Sequence, residues 1–138
     1  MRLHHIAYVT KDLEAQAETF FQLLGFTPIG PPEVDKTQGV RILFLDMGHG
    51  EKLELLEPWG DNSPVQRHLQ KGGGLYHLCF EVDDLADTLE KIQKNRQAFI
   101  VREPTSAPAL GHQPVAFVVT KNQDLIEFVQ APNNQSKK

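Results

Sequence analysis

Two histidines, His5 and His77, stand 72 residues apart, and two glutamates, Glu54 and Glu127, stand 73 apart. Imidazole nitrogens and carboxylate oxygens are the donors that first-row divalent metals take. Two neutral imidazoles with two carboxylates cancel the charge of one such ion and leave two positions of a six-coordinate shell for other ligands. Each glutamate is flanked by bulky apolar residues, Glu54 by Leu53 and Leu55 and Glu127 by Ile126 and Phe128. Side chains in a strand alternate between faces. Each of the four therefore points away from its bulky neighbours, and helices covering the bulky face leave all four on the opposite, concave face of a sheet. A buried carboxylate is costly unless a cation accompanies it. A merely solvated face would not require His to match His and Glu to match Glu.

The elements that must position these groups repeat in the same register. Residues 3–9 (LHHIAYV) resemble residues 75–82 (LYHLCFEV), Asp12-Leu13 recurs as Asp84-Leu85, and KLELLEP from Lys52 pairs with LIEFVQA from Leu125. Three matches in one register favour internal duplication. The first half predicts a strand over Arg2 to Val9, a helix over about Leu13 to Leu24, a short strand near Phe26 to Ile29, and strands near Val40 to Asp46 and Lys52 to Glu57. In the helix Leu13, Ala17, Phe20, Phe21 and Leu24 form an inward stripe, and Gly25 is the stop. The second half predicts a strand over Leu75 to Val82, a helix over about Leu85 to Lys94 with Leu85, Ala86, Leu89 and Ile92 inward, and strands near Ala98 to Arg102, Val115 to Thr120 and Asp124 to Gln130. Between them Ser63-Pro64 reads as a cap and first helical residue of a short helix reaching about Gln70, and Lys71 to Gly74 reads as a hinge. Pro104 to Pro114 reads as a long connection.

The expected class is α+β: two tandem βαβββ modules forming a curved mixed sheet around a metal-binding cavity, helices on the outer face. Module 1 covers about 1–58, a linker with a short helix 59–74, and module 2 about 75–131. Together they make one domain over 1–131, with a disordered tail over 132–138.

The chain has 138 residues and a formal charge of −4, with no basic run beyond the terminal lysine pair, so neither nucleic acid nor an anionic membrane is an expected partner. No apolar stretch approaches the roughly 20 residues of a membrane span, and the N-terminus lacks an apolar signal segment. The expectation is a cytoplasmic protein, and the single cysteine, Cys79, agrees with a reducing compartment. Cys79 shares the face of His77 but has no base beside it to make it a nucleophile. His4 is the competing ligand should the strand parity be reversed. His49 and His68 read as surface residues.

With these residues in place, the chain resembles the vicinal oxygen chelate superfamily, which includes glyoxalase I, extradiol dioxygenases, fosfomycin-resistance proteins and methylmalonyl-CoA epimerases, and within it most the epimerases. The segments carrying the resemblance are HHIAYVTKDLE, QGVRILFLDMG, KLELLEP, DNSPV, GGGLYHLCFEVDDL and DLIEFV. It implies metal ligands at His5, Glu54, His77 and Glu127 for one divalent ion per chain, zinc, cobalt, nickel or manganese, and a homodimer. It also implies a small-molecule substrate with vicinal oxygens, isomerised through a metal-stabilised enolate with Glu127 as base. Methylmalonyl-CoA or a related acyl thioester is the leading substrate. The alternatives are a glyoxalase-like lyase on a small dicarbonyl adduct and a non-catalytic small-molecule-binding protein. Where such epimerases carry a glycine-basic loop and a His-Pro-Lys turn, this sequence reads Gly111-His112-Gln113 and Val119-Thr120-Lys121. Inversion also needs an acid on the other face of the substrate, and the strand after Gln38-Gly39-Val40 offers Arg41, Ile42 and Phe44 instead.

Overall fold

In the computed structural model, which describes residues 1–132, the chain runs β1 (Arg2–Val9), α1 (Leu13–Leu24), β2 (Thr27–Asp35), β3 (Val40–Asp46), β4 (Lys52–Pro58), α2 (Gln66–Gln70), β5 (Gly74–Val82), α3 (Leu85–Asn95), β6 (Ala98–Ala107), one 3-10 turn (Pro108–Leu110), β7 (Gln113–Thr120) and β8 (Leu125–Gln130). The class is α+β, and βαβββ occurs twice. The tail expected over 132–138 lies, apart from Pro132, outside the described residues. Two compact units form: His4–Leu78, and Met1–Leu3 with the chain from Cys79 onward.

In the first unit the strand order is β2-β3-β4-β1. β1 runs parallel to β4, and the other neighbours are antiparallel. Leu13 and Ala17 of α1 bury against Leu43, Leu45, Leu53 and Leu55, with Ile6, Tyr8 and Phe20 packed around them. Leu13 and Leu55 are completely enclosed, and burying such a side chain contributes about 1.5–3 kcal/mol. In the second unit the order is β8-β7-β6, all antiparallel. There Leu85 and Leu89 of α3 pack on Val82, Ala116, Val118 and Phe128.

Both helices start in the same way. The Asp12 carboxylate accepts the Ala15 N–H, and the Asp84 carboxylate accepts the Asp87 N–H, each at 3.0 Å. The first helical N–H of each is taken by a strand side chain, Leu13 by Glu57 and Leu85 by Gln130, both at 2.8 Å. Glu57 and Gln130 lie three residues after Glu54 and Glu127. The strand that carries each glutamate thus also anchors a helix N-terminus, whose free N–H groups and positive dipole end favour such acceptors.

Several boundaries differ from expectation. Phe21 and Leu24 are 46% and 56% exposed, so the inward stripe of α1 narrows to Leu13, Ala17 and Phe20; Ala86 on α3 is exposed as well. Ser63 does not cap α2. Its carbonyl accepts the Gln66 N–H at 3.1 Å, and the turn this makes delays the helix to Gln66. The supposed loop from Pro104 is largely strand: β6 continues to Ala107 with register shifts at Ile100/Arg102 and Arg102/Thr105. β2 likewise runs nine residues through Gly30-Pro31-Pro32, with one irregularity between Ile29 and Glu33. Both are edge strands, where proline's missing N–H breaks no ladder.

Candidate metal centre

β1 is parallel to β4 with Ala7 opposite Glu54 and Val9 opposite Leu56. His5, Ala7 and Val9 therefore share one face with Glu54 and Leu56, while Leu53 and Leu55 face α1. On that face His5, Glu54 and His77 are 1%, 7% and 7% exposed. Their donor atoms converge: His5 Nε2 lies 3.3 Å from His77 Nε2 and 3.3 Å from Glu54 Oε1, and His77 Nε2 lies 3.6 Å from the same oxygen. Bonds of about 2.1 Å to one divalent ion place neighbouring ligand atoms about 3.0–3.5 Å apart, so the triangle fits such an ion. Two imidazoles and one carboxylate are also the donor chemistry it requires.

The surroundings fix the ring that matters. His5 Nδ1 lies 2.8 Å from His4 Nδ1; in the tautomer where His5 Nδ1 donates across that contact, the Nε2 lone pair faces the triangle, the arrangement that orients metal-bound histidines. His5 rather than His4 thus joins the triangle, and the strand parity is as expected. The Phe44 ring meets His5 edge-on at 5.5 Å, and Phe44 is the cross-strand partner of Glu54. In the second unit Phe117 holds the same relation to Glu127. The phenylalanine pair, 73 residues apart like the glutamates, was readable in the sequence and was missed there.

Glu127 is 4% exposed, within the second unit, on a face shared with the buried Val129. The structure brings His5, Glu54 and His77 together within the first unit, and Glu127 is buried as well. Cys79 is fully enclosed, packed in one cluster with Ala107, Val115 and Val129. His49 is exposed, but His68 is not a surface residue: its Nε2 is enclosed, and its ring lies 5.1 Å from that of Tyr76. Burial in turn pushes the Tyr76 phenol above its ordinary value. A second cluster of carboxylates, Asp12, Glu14 and Glu57, is already engaged by Arg41 and by backbone N–H groups of α1. A cavity of about 400 Å³ beside the start of α1, lined by Thr10, Lys11, Gln16 and Leu69 among others, includes none of the triangle. No helix among the described residues is long and apolar enough to cross a membrane.

The model of the Glyoxalase/Bleomycin resistance protein/Dioxygenase superfamily matches residues 4–117. An ethylmalonyl-CoA/methylmalonyl-CoA epimerase of Cereibacter sphaeroides is 32% identical over 133 residues, covering 94% of this chain and 97% of that one. The mitochondrial methylmalonyl-CoA epimerase of Bos taurus is 34% identical over 119 residues, 85% of this chain and 66% of that protein. Among solved structures, a Streptomyces coelicolor methylmalonyl-CoA epimerase variant in complex with 2-nitronate-propionyl-CoA superposes with a TM-score of 0.82 at 28% identity, covering 96% of this chain and 99% of that one. These likenesses identify an enzyme of the isomerase kind. A family match over most of its length and relatives above 30% identity show that the chain belongs to the Glyoxalase/Bleomycin resistance protein/Dioxygenase superfamily.

Proposed function

We propose that this protein is a divalent-metal-dependent epimerase that inverts the carbon alpha to the carbonyl of an acyl thioester, methylmalonyl-CoA or a near relative. The observation that carries the reading is the buried triangle of His5, Glu54 and His77 donor atoms, in a chain whose relatives are named as epimerases of such thioesters. Glu127 enters as fourth ligand and base through the internal repeat, as the counterpart of Glu54. An ion held by these residues would supply electrophilic stabilisation to the carbonyl oxygen on which the enolate's negative charge develops. His5 is held in register by His4, and Phe44 closes the space beside its ring. Glu127 takes the proton alpha to the carbonyl.

Elemental analysis of the purified protein is expected to give about one divalent ion per chain, lost in His5→Ala, Glu54→Ala, His77→Ala and Glu127→Ala. At a free ion concentration 100 times Kd the wild type gains about 2.7 kcal/mol of stability, and the variants gain none. Chelation abolishes epimerisation of methylmalonyl-CoA and the ion restores it. A wild type that binds none of zinc, cobalt, nickel or manganese refutes the reading. A homodimer belongs to the same proposal, supported by exposed apolar residues on the edge strands, Ile29 and Val34 on β2 and Phe99 and Val101 on β6; sedimentation tests it.

A further inference from the structure

Inverting a carbon through a planar enolate requires one group to remove the proton and another to deliver a proton to the opposite face. The register of the first unit shows where a second group stands. Glu33 of β2 pairs with Ile42 of β3, which pairs with Leu56 of β4; Ile29 pairs with Phe44, which pairs with Glu54. Cross-strand partners share a face, so Glu33 lies on the face of His5, Glu54 and His77, with Ile42 and Phe44 as an apolar floor between. Two strand spacings of about 4.8 Å and two residue steps of about 3.4 Å put the Glu33 and Glu54 Cα atoms about 12 Å apart. Two extended glutamate side chains narrow that span to the size of a small acyl group.

The local backbone is built for this placement. Between Ile29 and Glu33 the edge strand carries three residues, Gly30-Pro31-Pro32, where β3 carries only Leu43. Gly30 takes a φ of 71°. The two extra residues preserve the alternation and return Glu33 to the site face, as bulges beside active sites commonly re-aim a side chain. The other carboxylates that the register puts on this face are already used. Asp35 accepts the Gln38 N–H at 3.0 Å, Asp46 accepts the Gly48 N–H at 2.7 Å, and Glu54 belongs to the triangle. The Glu33 side chain makes no hydrogen bond among the described residues and is exposed, so its carboxyl group is open to proton exchange with water. An edge-strand charge also deters sheet-to-sheet pairing, but that role needs no particular face.

Resting on the epimerase reading, we infer that Glu33 is the second proton-transfer group. One carboxylate, Glu127 in that reading, takes the α-proton; the C–H electron pair forms the carbon–carbon double bond of the enolate, and the carbonyl π pair moves to oxygen. The Glu33 carboxylic acid then gives its proton to the other face of the α-carbon. The carbonyl re-forms, Glu33 is left as carboxylate, and both groups reset by exchange with water or by turnover of the opposite epimer.

Single epimers of methylmalonyl-CoA in D2O, followed by mass spectrometry for α-deuterium and by a chiral assay for inversion, test this with wild type, Glu33→Gln and Glu33→Asp. Glu33→Gln is expected to lose at least about 100-fold in epimerisation, in line with removal of a general acid or base. It keeps its metal content, and one epimer still exchanges its α-hydrogen with retention. Glu33→Asp recovers part of the inversion. Epimerisation by Glu33→Gln within about threefold of wild type, or equal loss of exchange from both epimers with metal retained, overturns the assignment. A wild type that exchanges neither epimer takes down the epimerase reading itself, and this assignment with it.

Discussion

Gly73 sits at the corner where the chain leaves α2 for β5, with φ at +70° and its N–H donated to the His68 carbonyl at 3.0 Å. A Cβ built there lies 2.8 Å from the Val9 carbonyl oxygen and 3.5 Å from Leu69 Cδ1. Replacing Gly73 by alanine adds two costs. Holding an L-residue in the left-handed region costs about 1–2 kcal/mol. Relieving the contact with a backbone carbonyl that cannot rotate away adds about 1–3 kcal/mol, the range for overpacking a close-packed site. Gly25→Ala separates the two, because Gly25 has φ +75° and nothing within 4 Å of the added Cβ. Urea unfolding at constant m is expected to place Gly73→Ala about 1–3 kcal/mol below Gly25→Ala. The consequence reaches the triangle of His5, Glu54 and His77: Val9 ends the strand that carries His5, and Gly73 precedes the one that carries His77. Divalent-ion affinity therefore falls in Gly73→Ala and holds in Gly25→Ala. Equal stabilities of the two variants would refute the packing argument, and equal metal affinities would refute the coupling of this corner to the site.

Asp12→Ala and Asp84→Ala each cost about 1 kcal/mol by equilibrium unfolding, as loss of an N-cap acceptor does, and the asparagine variants recover most of it. Arg41 donates to Glu14 and Glu57, and the hydrogen bond from its guanidinium holds the Glu14 carboxyl below its ordinary value. A depressed carboxyl stabilises the fold above its unfolded pKa and loses that contribution as the pH falls through its folded one. The thermal stability gap between wild type and Arg41→Met is therefore present at neutral pH and closes as pH drops below the carboxylate range; added salt narrows it too.

The shared face of His5, Glu54 and His77 was legible in the sequence because the side-chain period of a strand is two and Glu54 stands between two leucines. Leu53 and Leu55 pack under α1, which leaves Glu54 one direction to point. The starts of α1 and α3 were equally legible, since Asp12-Leu13 and Asp84-Leu85 carry both the cap and the first buried residue. What could not be read was the edge of the sheet. Gly30-Pro31-Pro32 and Glu103-Pro104 have the composition of loops, yet each lies in a strand paired on one side only, where a missing N–H and a register shift cost little. Reading β2 as ending near Ile29 hid Glu33, and with it the second acid that the strand after Val40 did not supply. Phe21 and Leu24 failed for another reason: helical spacing allows a wide stripe, but the sheet beneath α1 covers only part of it.

The two repeats show which features physics holds fixed and which it leaves free. Leu13 with Glu57 repeats as Leu85 with Gln130, and Phe44 opposite Glu54 repeats as Phe117 opposite Glu127. These pairs seat a helix on a strand and set a carboxylate residue opposite an aromatic one in both units. On the same face, however, Ile29 opposite Phe44 answers to Arg102 opposite Phe117, and Glu33 opposite Ile42 answers to Thr105 opposite Val115. An edge strand is constrained by one neighbour rather than two, and its outward half meets solvent or ligand. Substitutions there cost the fold little and change what the face presents. A duplicated scaffold that keeps its central strands alike can therefore acquire unlike chemistry along β2 and β6, and the single acid that the central strands of the first unit lack is found on just such an edge.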